Sequence, residues 1–346
     1  MPQPHTDRRL LPSTANALRW AATLLAVLFA TGQPGCAAGP SERETAEVAR
    51  RAGQRAVSEG GVVGLSIGIA RDGRLIYAEG FGHADLERTR PVTSETNFDI
   101  ASVGKQFTAV AILRLAEMGN LSLSDRLRDY VPEAPAHVPN ATIAEWLHHT
   151  SGFVGGELDE FNPPEWYQRP VESKELLRDV ALQTGQTVFR PSEVFNYCNP
   201  GYVMLGLVVE AASGRSYERF VREELFAPAG LRSATVYRRA EPEQMADSIN
   251  RGEDGYKLMP LIDFSAYAGQ GSVTAGVLDL IRWELALQDG RVIDARSFEY
   301  FRTPAVVRGT HETGFMPYGA GQKLGDFHGH AKVGHTGTYD GGSAVL

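Results

Sequence analysis

Asn97-Phe98-Asp99-Ile100-Ala101-Ser102-Val103-Gly104-Lys105 is the stretch on which the fold turns. From Lys105 to Met118, apolar residues recur at Phe107, Val110, Ala111, Leu113 and Leu115, and Gly119-Asn120 closes the run. The pattern predicts a helix that opens at Ser102. Residues three apart on a helix share a face, so the Ser102 hydroxyl and the Lys105 amine come within reach of each other. A serine is a poor nucleophile near neutral pH unless a base stands beside it. A lysine serves as that base only where desolvation or a neighbouring cation lowers its pKa. Backbone N–H groups at the start of a helix help to hold developing negative charge. Taken alone, the same spacing also fits a capping serine followed by a solvated lysine.

Working outward, Val62 to Ala70 is rich in β-branched and aliphatic residues and reads as a strand. Asp72-Gly73 is a hairpin turn signal, and Leu75-Ile76-Tyr77-Ala78 supplies the partner. A polar helix-forming stretch, Ser41 to Ser58, precedes them and is broken by Gly60-Gly61. Beyond the Ser102 helix the chain is mostly helical: Thr142 to His148, Lys174 to Leu182, Tyr202 to Ala212, Tyr217 to Leu225 and Thr274 to Leu287 repeat the helical period. Strand signals return at Tyr318 to Leu324, Ala331 to Gly334 and from Ser343 onward. The order predicts an α+β domain over 41–346. Its antiparallel sheet is formed by both chain ends and flanked by helices, with a mostly helical region inserted at about 120–290.

Of the 346 residues, 42% are hydrophobic and 22% charged, ordinary globular usage. A formal net charge of -8 argues against a nucleic-acid partner, which calls for a basic footprint on the protein. Residues 1–38 are set apart. Arg8, Arg9 and Arg19 precede the apolar run Trp20 to Ala30, and small residues Cys36-Ala37-Ala38-Gly39 follow, the three-part layout of an export signal. An exported protein, periplasmic or extracellular, is expected. Cleavage after Ala37 or Ala38 is one outcome; membrane attachment through the signal segment or a lipidated Cys36 is the other. The only other cysteine is Cys198, so no disulfide framework exists.

Two further motifs carry chemistry. In Tyr197-Cys198-Asn199, a phenol beside ammonium groups can pass protons, and an amide two residues on can hold a substrate carbonyl. In His335-Thr336-Gly337-Thr338, a glycine on a strand permits close approach of a substrate backbone, and a strand N–H can complete an oxyanion hole with that of Ser102.

In this order the three motifs resemble the serine β-lactamase and penicillin-binding-protein superfamily, in its class C β-lactamase-like branch of D-Ala-D-Ala carboxypeptidases and esterases. Leu147-His148-His149-Thr150-Ser151-Gly152-Phe153, Pro228-Ala229-Gly230-Leu231-Arg232 and Ala268 to Ala275 fit the same branch. The resemblance covers about 60–346. It implies that Ser102 is acylated, that Lys105 and Tyr197 share the proton work, and that Asn199 contacts the substrate amide or acyl group. It further implies that His335, Thr336, Gly337 and Thr338 line the site, with the Ser102 and Thr338 N–H groups as oxyanion hole. The implied activity is a serine hydrolase acting on ester, D-amino-acid amide or β-lactam bonds of a small-molecule or peptide substrate, without cofactor or metal. A penicillin-binding-like scaffold or sensor with little turnover is the alternative. His335 stands where many class C enzymes carry lysine. Without that fixed cation, neutral short-chain esters are expected to be better substrates than cephalosporins. Family members usually continue with more sheet and a closing helix, so C-terminal strands and a helix are expected to be missing after Leu346. A metal site built on His148-His149 and His328-Gly329-His330 lacks accompanying carboxylates, and the aromatic Phe161, Trp166 and Tyr167 of the loop Glu157 to Pro170 are read as surface packing in preference to a cleft lining.

Overall fold

The computed structural model describes residues 23–30, 40–59, 61–155, 186–236, 244–252, 254–259, 265, 268–310, 317–327, 329–339 and 341–346. Strand β1 (Thr23–Ala30) precedes helix α1 (Glu42–Ser58). Ser41 starts α1 with a reciprocal cap. Its hydroxyl accepts from the Glu44 N–H, and the Glu44 carboxylate accepts from the Ser41 N–H. β2 (Gly64–Arg71) and β3 (Arg74–Gly82) form the expected hairpin. Asp72 and Gly73 take φ of 50° and 76°, the two left-handed residues of a tight hairpin turn. Phe81, Tyr77, Leu65 and Ile69 pack under Ala49 of α1.

β4 (Phe98–Asp99) leads through a 3₁₀ turn, Ala101–Gly104, into α2 (Lys105–Glu117). Every residue of α2 from Lys105 to Leu113 is buried. A helix buried on all sides is a core element rather than a surface one. Phe107 fills the centre, 5.3 Å edge-on from Phe226 and 4.3 Å from Trp283. The helical middle contributes Ile143–Leu147, α3 (Asn199–Ser213) and Tyr217–Phe220 continuing into Val221–Phe226. The predicted helix Lys174 to Leu182 lies outside the described residues, as does the loop Glu157 to Pro170.

Two boundaries differ from expectation. Thr274 does not open a helix. Val273–Ala275 is strand β5, antiparallel to β4 on one side and to Thr235–Val236 on the other, and Gly276 separates it from α4 (Val277–Gln288). The β-branched Val273 and Thr274 suit a strand, and both its edges are paired. Nor is Tyr318 to Leu324 a single strand. Gly319 and Gly321 make a turn, with Gly321 at φ 78°, and β6 (Lys323–Phe327) begins only at Lys323. β6 and β7 (His330–Gly334) form a hairpin outside the main sheet.

The chain ends do build one sheet. β8 (Thr336–Tyr339) and β9 (Gly342–Val345) join the N-terminal strands in the order β8-β9-β1-β2-β3. Between them, Thr23–Ala30 lie beside β2 and β9 and run parallel to both, so the sheet is mixed.

Asp279, on α4, ties the helical region to the chain before β5. Its carboxylate is 1% exposed. It accepts from the N–H groups of Arg232 (3.0 Å), Ser233 (2.7 Å) and Ala234 (2.8 Å) and from the Arg282 guanidinium (2.6 Å). Burial works to raise its pKa, but the N–H groups of Ser233, Arg232 and Ala234 outweigh it and hold the carboxyl below its ordinary value. A depressed pKa stabilises the fold above the unfolded value, near 3.9, and that stabilisation is lost as pH falls through the lower folded value. Asp279→Asn is therefore expected to cost about 1.5–3 kcal/mol at pH 7, with the gap to wild type shrinking below about pH 4. Urea unfolding at pH 7 and pH 3 checks this; equal stability of the two proteins at pH 7 would refute the clamp.

Candidate active site

Ser102 sits in the tight turn between β4 and α2. Ala101, immediately before it, has φ 45°, a left-handed conformation that costs a non-glycine residue of order 1–3 kcal/mol. Its N–H donates to Asp99 Oδ1 at 2.7 Å, which helps hold it there. Two glycines close on the same turn. A Cβ on Gly271 would lie 3.0 Å from the Ala101 carbonyl carbon, and one on Gly337 would lie 2.1 Å from the Ile100 oxygen. What the missing side chain of Gly337 admits on this side is the protein's own backbone at Ile100.

Lys105 is fully buried. Its Nζ donates to Ser102 Oγ at 3.1 Å and to the Gln270 carbonyl at 2.8 Å. That carbonyl is held by its neighbours. Gly269 has φ 92°, its oxygen accepts from Thr108 Oγ1 at 2.6 Å, and a Cβ there would strike the Tyr202 oxygen at 2.1 Å. The ammonium also faces aromatic rings, 5.0 Å from the Tyr197 centroid and 5.7 Å from that of Tyr202.

Tyr197 is placed by the loop after Ile143–Leu147. The His149 oxygen accepts from the Asn196 N–H at 2.9 Å, and His149 Nδ1 accepts from the Cys198 N–H at 3.1 Å. Since Nδ1 accepts, the ring proton is on Nε2. Burial first, then the Lys105 charge, holds His149 well below its usual pKa, so it is a neutral structural imidazole, 4.4 Å from the Tyr197 ring. Both nitrogens of His148 face backbone carbonyls, those of Ala144 and Thr303. Among the described residues no group of three His, Cys, Asp or Glu side chains could hold a metal ion. Cys198 is buried, and burial pushes its thiol up to about 11, which suits a packing role. Asn199 opens α3, and its Oδ1 is buried with no donor among the described residues.

His335 is 3% exposed. Its Nδ1 lies 2.7 Å from the Thr336 oxygen, so Nδ1 donates, and Nε2, 3.1 Å from the Tyr318 hydroxyl, accepts from it. Burial, then the charges of Lys105 and Lys323, lower its pKa to about 3. The imidazole is neutral, as the sequence suggests, but both nitrogens are spent inside the protein. Along β8, Thr336 and Thr338 are exposed and Gly337 is buried, a period-two alternation that turns the threonines outward.

The structure thus brings Ser102, Lys105, Tyr197 and His335 together, with Gly337 against the turn that carries the serine. Three contributors carry no signal in the motifs: the Gln270 carbonyl, Tyr318 and Lys323. Tyr318 is 2% exposed, and its ring packs 4.8 Å from His149 and 5.8 Å from His335. The pattern Tyr318-Gly319-Ala320-Gly321, an aromatic residue before two turn glycines, was the available hint.

A serine turn with a buried lysine beneath it, on this arrangement of sheet and helices, defines a class, and comparison with known proteins supplies the family. The chain belongs to the Beta-lactamase family, which matches residues 45–346. It is similar to penicillin-binding protein 4* of Bacillus subtilis (strain 168), with 30% identity over 296 residues, 80% of this chain and 63% of that protein. It is also similar to a D-aminopeptidase of Brucella anthropi, 27% identical over 294 residues, 82% of this chain and 52% of that one. The chain therefore spans between about half and two thirds of the length of these relatives. Among solved structures, a penicillin-binding protein from Bacillus halodurans superposes with a TM-score of 0.67 at 29% identity, covering 77% of this chain and 80% of that one.

Proposed function

We propose that this protein is a serine hydrolase that works through an acyl-enzyme on ester, D-amino-acid amide or β-lactam substrates. The observation that carries the proposal is Lys105: a fully buried amine 3.1 Å from the Ser102 hydroxyl, fixed from behind by the Gln270 carbonyl. A buried amine is a candidate base because burial opposes its charged form, and the Lys105 amine is held between the Ser102 hydroxyl and the Gln270 carbonyl. Deprotonated, it takes the Ser102 proton as Oγ bonds to the substrate carbonyl carbon. The Ser102 and Thr338 N–H groups receive the oxyanion. As the tetrahedral species collapses, the bond to the leaving oxygen or nitrogen breaks, and that atom regains a proton from the Lys105–Tyr197 pair. Water then repeats the sequence, with the serine as leaving group. Asn199, whose Oδ1 has no donor among the described residues, takes the substrate amide N–H. The names of the relatives, a penicillin-binding protein and a D-aminopeptidase, support amide and lactam substrates.

Intact-protein mass spectrometry after incubation with a penicillin or a fluorophosphonate tests this. One adduct, mapped to Ser102 and absent from Ser102→Ala, is expected; undiminished labelling of the alanine variant would overturn the assignment. Release of the penicillin adduct over time separates a hydrolase from a scaffold that only traps its ligand.

A further inference from the structure

A second lysine stands at this site outside all three motifs. Lys323 opens β6, and its Nζ lies 5.9 Å from the Tyr197 ring centroid, while Lys105 Nζ lies 5.0 Å from the same centroid. Its place is fixed by its neighbours. Lys323 pairs in register with Gly334, the residue before His335, and bridges to Tyr318, whose hydroxyl bonds the His335 ring. Next to it, Gln322 is buried and donates to the Gln106 side chain of α2 at 3.1 Å. The start of β6 is therefore pinned both to the helix that carries Lys105 and to the segment that carries His335. Lys323 itself is half-buried, and among the described residues no carboxylate lies within 4.0 Å of its ammonium. Its charge is felt across the site, since it helps to hold both His335 and His149 below their usual pKa values, after burial and Lys105.

A half-buried ammonium with no carboxylate beside it among the described residues can make a charge-assisted hydrogen bond to an arriving anion. We propose that Lys323 is the specificity-determining cation of this site and that it meets a carboxylate on the substrate. It supplies the fixed charge that His335 lacks. The proposal rests on the serine-hydrolase function above and narrows its substrate class. β-Lactams and peptides ending in a free carboxylate are favoured. Neutral esters gain nothing from Lys323. This preference is opposite to the one expected from His335 alone, because β6 brings a cation from a different strand.

The test is kcat/KM for nitrocefin, which carries a carboxylate, and for p-nitrophenyl butyrate, which is neutral. Both are measured in wild type, Lys323→Met, Lys323→Gln and Lys323→Arg, with folding checked by circular dichroism. Losing a charge-assisted hydrogen bond corresponds to roughly tenfold or more. The nitrocefin-to-butyrate ratio is expected to fall about tenfold in the methionine and glutamine variants, mostly through KM, and to stay within about threefold of wild type in the arginine variant. A ratio unmoved by removing the charge, or a wild type that hydrolyses butyrate but not nitrocefin, overturns the role of Lys323 while leaving the hydrolase standing. A wild type that turns over neither substrate and is not labelled at Ser102 defeats the hydrolase, and this inference with it.

Discussion

Lys105→Met is expected to lower the rate of Ser102 acylation by about 10²–10⁴-fold, the usual worth of a positioned general base, while the protein stays folded. Methionine keeps most of the volume of a side chain that is 0% exposed and packed under the serine turn. It leaves the Gln270 carbonyl without its donor, a cost of about 1–3 kcal/mol. Against this, it removes an amine whose burial opposes the charged form. The two effects oppose each other, and the midpoint of thermal unfolding checks that the variant stays folded. Lys105→Arg sharpens the test. A guanidinium keeps the positive charge and the hydrogen-bonding capacity but does not deprotonate in proteins. If Lys105 acts by taking a proton, arginine fails as badly as methionine. If it acts only as a charge that steadies the oxyanion, arginine retains much of the rate. Stopped-flow acylation with nitrocefin decides between them, and a loss of less than tenfold in the methionine variant would remove Lys105 from the proton pathway.

What the sequence could reveal followed the reach of each interaction along the chain. Ser102 and Lys105 are one helical turn apart, so their meeting is a local consequence of the helix pattern beginning at Phe107. The hairpin at Asp72-Gly73 is local too, and so is the Ser41 cap. The partner that fixes Lys105 is not. The Gln270 carbonyl lies 165 positions away and acts through its backbone, which has no residue signature. The surrounding glycines were visible, but that Gly269 and Gly271 press against Tyr202 and Ala101 depends on packing between distant elements. Lys323 was hidden for a different reason: a single lysine near a turn looks like a solvated charge until β6 folds it toward Tyr197. Thr274 was drawn into the α4 pattern because Val273-Thr274-Ala275 is short, and strand pairing with Phe98–Asp99 outweighed the helical period. The strand Thr23–Ala30 shows the same limit, since nothing in an apolar run tells which edges elsewhere are open to it.

Gly337→Ala is expected to cost activity far more than its single methyl group suggests. The added Cβ would stand 2.1 Å from the Ile100 oxygen and 3.1 Å from the Ala101 Cβ. A backbone oxygen on that side cannot swing aside as a flexible side chain would, so either β8 or the Ile100–Ala101 backbone must move. Relief of overpacking of this kind typically costs about 1–3 kcal/mol of stability. The catalytic cost has a separate origin. Ala101 is held at φ 45° directly before Ser102, the proposed nucleophile, and β8 carries the Thr338 N–H proposed for the oxyanion hole. Separating the strand from the turn pulls apart the two N–H groups that must point at one oxygen. A displacement near 1 Å is worth about 10²-fold in rate, and the loss should fall on kcat, because the substrate's ground state is held by other groups. Ala320→Gly, a change of the same size at a buried position in the turn before β6, is the control, expected to lower stability without a comparable fall in kcat. Steady-state kinetics beside thermal unfolding separate the two effects. If Gly337→Ala retains more than about a third of the wild-type kcat, the strand has room that this packing denies it, and the approach of β8 to Ile100 is not what sets the oxyanion geometry.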